Sequence, residues 1–286
     1  MGQSIDRSEL KEKALRNEGY LYEGLTFYPI TVKHYGVFLA CESALTLRMS
    51  MLPAVYASKN FASAIFEMQI EEIMRNGKNA SAGYWSKFLR LMCLSLRIPP
   101  ESAAQSIQMR VNPESPKDLI ALIVRQISDE TGEAVIRLEP TKIARIREII
   151  AIMNGKELPD EADNSELIQA EMDIASINAA YDLVLEIDDL KASVARDQRI
   201  RLHELDEWTI LEFDLLKRAI EREKRFLVCG IGESSGMVKW KGGNPYPSPF
   251  FDRKRESSAV QSAQKFQERI SGAVATTDSL PTKLPI

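Results

Sequence analysis

"SIQMRVNPESPKDLIALIVRQISDETGEAVIRLEP" (Ser106–Pro140) joins two tracts of helical character, and its reading decides whether the chain is helical throughout. β-Branched residues crowd it, and Pro113 and Pro116 flank a loop near its start. Pro116 can open a helix at "KDLIALIVRQI", since a first helical turn tolerates proline, whereas "AVIRLEP" reads as a strand. Periodicity does not separate a short buried strand from a buried helix turn. The reading adopted is a helix followed by a short strand.

Upstream, the first 20 residues read as a polar helix or frayed arm, and "YEGLTFYPI" as an extended segment interrupted by Pro29. Thr31 is placed to cap a helix to Met51 carrying Tyr35, Phe38, Leu39, Leu45 and Leu47. "LPAVYASKNFASAIFEMQIEEIMRNGKN" gives a second helix that Asn-Gly stops. "YWSKFLRLMCLSLRIPP" gives a third, ended by two prolines. Downstream, "TKIARIREIIAIMNG" places Ile143, Ile146, Ile149, Ile150 and Met153 on one stripe, with Thr141 as the expected cap. "KELPDEADN" is a polar linker. Asn164 then caps a long helix that continues, with or without a break near Asp188, into "LKASVARD", and "LDEWTILEFDLLKRAIEREKRFLV" is the last strong helix. The expected fold is mainly α: a multi-helix body with a short N-terminal β segment and an extended C-terminal arm. Its parts are a polar arm (1–22), a helical domain (23–157), a C-terminal helical region (164–235) and an extended aromatic and proline-bearing segment with a tail (236–286).

The totals exclude several classes. With 44% hydrophobic and 27% charged residues among 286, the chain can bury a core, and wholesale disorder is not expected. A net charge of −4 argues against a dedicated nucleic-acid binder. Between Arg196 and Arg225 eight basic residues face eight acidic ones, so no field attracts phosphate there. The longest apolar runs fall far short of the about 18 residues that span a bilayer, so no membrane association is expected. "MGQSID" departs from a myristoylation signal at Asp6. Cys41, Cys93 and Cys229 stand alone, which fits buried thiols in a reducing compartment better than a disulfide framework or a zinc knuckle.

Chemistry is sparse. His34 and His203 are the two imidazoles, and no local signature pairs either with a cysteine or a carboxylate. No H-x-x-H, HExxH or DxDxDG spacing offers a metal site. The GxG of "CGIGESSG" follows a helix instead of a strand, so it fails as a phosphate loop, and Gly230 and Gly232 are read as helix breakers. No catalytic residue, cofactor or metal is expected.

"GMVKWKGGNPYPSPFFDRK" (Gly236–Lys254) differs from the rest, with alternating Pro245, Pro247 and Pro249 among four aromatics. Such a backbone is extended and either straps across its own surface or docks in a groove of another chain. Together with "YEGLTFYPITVKHYGVFLACESALTLRMSMLPAVY" and "WTILEFDLLKRAIEREKRF", it resembles tail-assembly chaperones and minor tail proteins of tailed phages and related contractile particles. The resemblance implies a non-enzymatic protein of the host cytoplasm that coats a long helical tape-measure polypeptide until tail-tube subunits polymerise. Phe27, Tyr35, Phe38, Trp240, Tyr246, Phe250 and Phe251 are then the candidate contacts for the tape-measure or tail-tube protein. Self-association is left open, as are a structural tail or baseplate subunit and an enzyme of unrecognised type.

Overall fold

A computed structural model describes residues 5–128, 132–159 and 186–234. The chain divides into two compact units, Met1–Glu161 with Leu185–Ile220, and Ala162–Val184 with Glu221–Ile286. In the second unit the described residues are 221–234.

The chain is helix-rich, and among the described residues it has two small antiparallel sheets. Helix α1 (Arg7–Leu15) starts at Asp6, whose carboxylate accepts from the Ser8 and Glu9 amides at 2.9 and 3.3 Å. The expected arm is a docked helix, because Leu10 and Ala14 sink completely into the core. Strands β1 (Tyr20–Tyr22) and β2 (Leu25–Phe27) form a hairpin with a two-residue turn, Glu23-Gly24. Both turn residues have positive φ, +52° and +80°, the geometry that matches strand twist and that glycine adopts without strain.

The helix expected over 31–51 breaks into short pieces: a 3-10 turn at Val32–His34, helix α2 (Tyr35–Cys41), and further 3-10 turns at Glu42–Ala44 and Met49–Met51. Leu45 and Leu47 are both buried, yet two residues apart they would sit on opposite sides of a helix, so the chain must leave the helix to bury both. A single turn at Ala54–Ala57 leads to α3 (Phe61–Asn76), which Asn60 caps through the Ser63 amide at 2.9 Å and Gly77 ends at φ +54°. Helix α4 (Tyr84–Ser95) stops before Arg97 (φ +54°) and the prolines at 99 and 100.

Ser106–Pro140 is mostly sheet. Strands β3 (Ile107–Asn112), β4 (Ser115–Ser128) and β5 (Gly132–Leu138) pair antiparallel in the order β3-β4-β5. The strand expected at "AVIRLEP" is β5, but "KDLIALIVRQI" belongs to β4 and not to a helix. Leu122, Val124 and Gln126 are buried while Arg125 and Ile127 are exposed, a two-residue alternation that covers one face of the segment only if it is extended. Pro113 and Glu114 make the β3–β4 turn, which the Asn112 side chain closes by accepting from the Glu114 amide at 3.1 Å.

Helix α5 (Pro140–Met153) carries proline in its first position and Glu139, not Thr141, as its cap residue. Its expected stripe is buried throughout, and Gly155 (φ +71°) follows its end. Helix α6 (Ile187–Gln198) starts afresh after the extended cap residue Glu186, near the break at Asp188 that the sequence allows; residues 160–185, where the long helix after Asn164 is expected, lie outside the described residues. Helix α7 (Ile210–Ser234) opens with a capping box: the Thr209 hydroxyl accepts from the Glu212 amide at 3.2 Å, and Glu212 accepts from the Thr209 amide at 2.9 Å. Gly230 and Gly232 do not break it, since single glycines cost only about 1 kcal/mol each inside a helix.

Candidate functional site

The aromatic contacts expected near the N-terminus belong to the core. Phe27 and Phe38 are wholly buried and Tyr35 nearly so. Tyr35 sets its ring edge on Phe213 at 5.1 Å and donates its hydroxyl to Asp214 Oδ1 at 3.2 Å. Tyr35 thus holds α2 against the start of α7, and none of the three rings is exposed. Trp240, Tyr246, Phe250 and Phe251 lie outside the described residues, as does the extended arm over 236–286.

His34 and Arg97 converge where sequence spacing gave no sign of it. They share a cavity of about 290 Å³ with Pro29, Ile30, Thr31, Leu94, Ile98, Pro99 and Pro100. Burial lowers the His34 pKa below 6.5 and Lys33 adds to that, against an opposing effect of Asp206. The Arg97 guanidinium lies 3.8 Å over the Tyr28 ring and donates to Asn17 Oδ1 at 3.1 Å. The cavity therefore offers apolar walls, one cation and an imidazole held toward its neutral form. That set suits recognition of a small apolar group bearing an anion; the lining supplies neither a thiol nor a carboxylate for an imidazole to activate. His203, in the 3-10 stretch Leu202–Glu207, is not part of the cavity lining.

Two of the thiols are shielded from water. Burial raises the pKa of Cys41, and pushes that of Cys93 up to about 11. Among the described residues no group of three or more His, Cys, Asp or Glu side chains is placed to hold a metal ion. No described helix is long and apolar enough to cross a membrane.

Apolar surface is the more prominent feature. A groove of about 300 Å³ is lined by Leu15, Trp208, Glu212, Leu215 and Leu216. On the outer face of the sheet, Ile127 is 80% exposed and Val135 55%. In the second unit, the end of α7 carries Leu227, Val228 and Ile231 at 53%, 65% and 68% exposure. Leu227 and Ile231, four residues apart, stack along one side of that helix with Val228 beside them. The sequence marks this stretch as a helix, but the same apolar spacing serves a helix that buries its face and one that leaves it in water. Comparison with protein-family models, curated proteins and solved structures finds no match to this chain.

Proposed function

We propose that the chain is a non-enzymatic binding protein, a tail-assembly chaperone that keeps a tape-measure polypeptide soluble during tail morphogenesis. The observation that carries this reading is the end of α7, where Leu227, Val228 and Ile231 stand in water. Apolar area in water costs about 25 cal/mol per Å², so covering these side chains drives association. An amphipathic helix laid along α7 fits them, with apolar residues three and four apart meeting the Leu227–Ile231 side. The tape-measure chain that the resemblance implies, long, helical and aggregation-prone, is a partner of this kind. The motif resemblance around Pro29–Tyr35 and Trp208–Phe226 supports the same assignment.

The test is co-expression of the full chain with the tape-measure polypeptide of its particle. The two should co-purify as a soluble complex, and Leu227→Asp with Ile231→Asp should return the tape-measure chain to the insoluble fraction. Stoichiometric presence in finished particles would make the chain a structural tail component instead. Absence from both the complex and the particle would overturn the tail assignment altogether.

A further inference from the structure

Arg97 stands at a backbone position that favours glycine. It follows the end of α4 at φ +54°, and its amide donates to the Leu94 carbonyl at 3.1 Å. The Ile98 amide donates to the Cys93 carbonyl at 2.9 Å. This pair of bonds closes a helix around a left-handed residue, for which glycine is the usual choice. An arginine there is strained, and such strain collects where a side chain is put to use. Part of that use is structural, through the Tyr28 ring and the bond from Nη2 to Asn17. The rest of the guanidinium is uncommitted. Among the described residues no carboxylate pairs with Arg97, and its Nε and Nη1 make no hydrogen bond.

The cavity that Arg97 lines gathers two more polar side chains in the same condition. The Thr31 hydroxyl and the His34 imidazole belong to its lining, and among the described residues neither has a hydrogen-bond partner. Ile30, Leu94 and Ile98 supply apolar wall, and Pro29, Pro99 and Pro100 stiffen it. Walls with so little torsional freedom lose little of it when a ligand is enclosed. A volume of about 290 Å³ lies at the small end of the about 300–1,000 Å³ usual for ligand sites. We propose that this cavity binds a carboxylate carried on a compact aliphatic body, with Arg97 on the carboxylate and Ile30, Leu94 and Ile98 around the body.

The lining's charge selects that chemistry. Arg97 is its one fixed cation, so a monoanion is matched and a phosphate dianion carries a charge in excess. A planar guanidinium fits a carboxylate through two parallel hydrogen bonds, and Thr31 and His34 can donate to the lone pairs that remain. The same group occurs on a free short-chain acid and at a peptide terminus that ends in an aliphatic residue. None of these cavity residues belongs to α7, so the outcome is independent of the tail assignment.

Proton NMR of the full chain tests the site directly, since His34 and His203 are its two imidazoles and His34→Gln assigns their signals. Isovalerate should move the His34 ring signal and leave that of His203 in place, with a dissociation constant on the order of 1 mM or tighter. Isoamyl alcohol, the same body without the charge, should bind about tenfold or more weakly. Tighter binding by an acetylated dipeptide ending in leucine than by isovalerate assigns a chain terminus, and the reverse assigns a free acid. Arg97→Gly relieves the backbone as it removes the cation, so it should leave thermal unfolding cooperative and weaken binding about tenfold or more. Arg97→Gln should weaken binding likewise. An alcohol that binds as well as the acid would overturn the proposal, as would undiminished binding in both Arg97 variants. So would a His34 signal that neither acid nor peptide moves at concentrations on the order of 10 mM.

Discussion

Gln126 on β4 acts as a surrogate strand for Thr26 on β2, one hundred residues earlier. Its Nε2 donates to the Thr26 carbonyl at 2.7 Å, and its Oε1 accepts from the Thr26 amide at 2.8 Å. The same Nε2 reaches the Leu96 carbonyl at 3.2 Å. One buried amide thus satisfies three backbone groups and ties the hairpin and the end of α4 to the inner face of the sheet.

Removing that amide should be costly. Gln126→Leu keeps the volume but leaves the Thr26 amide and carbonyl buried without partners, at about 1–3 kcal/mol for each group. A loss of roughly 2–5 kcal/mol in urea unfolding is expected. A loss below about 1 kcal/mol would mean that water replaces the amide.

Much of this architecture was legible beforehand, and the failures have physical causes. The stripe from Ile143 to Met153 reads directly because five large aliphatics repeat at helical spacing and all five are buried. In β4 the run Leu119–Val124 is apolar on both sides, since Ile120 and Ile123 face outward where polar residues usually stand. That outward greasiness hides the two-residue period, and it is also what sets Ile127 and Val135 in water. Phe27, Tyr35 and Phe38, expected as contacts, lie in the core for a related reason: aromatic identity does not distinguish a ring that packs inward from one that docks a partner. Gln126 and Arg147 carry no local signature, because their partners are backbone groups about a hundred residues away.

Arg147 is a second clamp of this kind. It stands on α5 beside the aliphatic stripe, nearly buried, and its Nε donates to the Leu45 carbonyl at 2.9 Å while Nη2 donates to that of Leu47. Its guanidinium also lies 4.3 Å over the Phe61 ring. The fork holds the turn after α2 in the conformation that buries both leucines. Lysine lacks the second arm and the planar face, so Arg147→Lys should destabilise by about 2–4 kcal/mol. Arg147→Met, which removes the charge with the donors, should cost less than a buried unpaired charge would suggest. Thermal unfolding of the three chains side by side checks the order.

Tyr56, Glu71 and Lys117 form a surface relay. Tyr56 donates its hydroxyl to Glu71 Oε2, and Lys117 donates to Glu71 Oε1 at 2.7 Å. The hydrogen bond to Glu71 and, after it, burial push the Tyr56 pKa up to about 12. The folded chain therefore holds this proton where the unfolded chain, with a phenol near 10, has lost it. Its contribution to stability is intact below pH 10 and fades as pH rises toward 12. Ultraviolet titration should show one phenolate forming near pH 12 that Tyr56→Phe abolishes, and Glu71→Gln should move it down toward 10. A Tyr56 that titrates with the free phenol despite an intact Glu71 would break the assignment.

His34 sets the opposite dependence at acid pH. Its folded pKa lies below 6.5, through burial in the cavity beside Ile30 and Ile98 and through the neighbouring charge of Lys33; Arg97 also lines the cavity, while Asp206 opposes the shift. The unfolded chain consequently binds this proton more readily than the folded chain, so stability rises with pH up to about 6.5 and is level above it. Acidification from pH 7 to pH 5 should therefore destabilise the chain, and His34→Gln should flatten that part of the profile without altering stability at pH 8. Urea midpoints at the three pH values measure this. An equally steep acid loss in the His34→Gln chain would leave the cavity imidazole without a role in it.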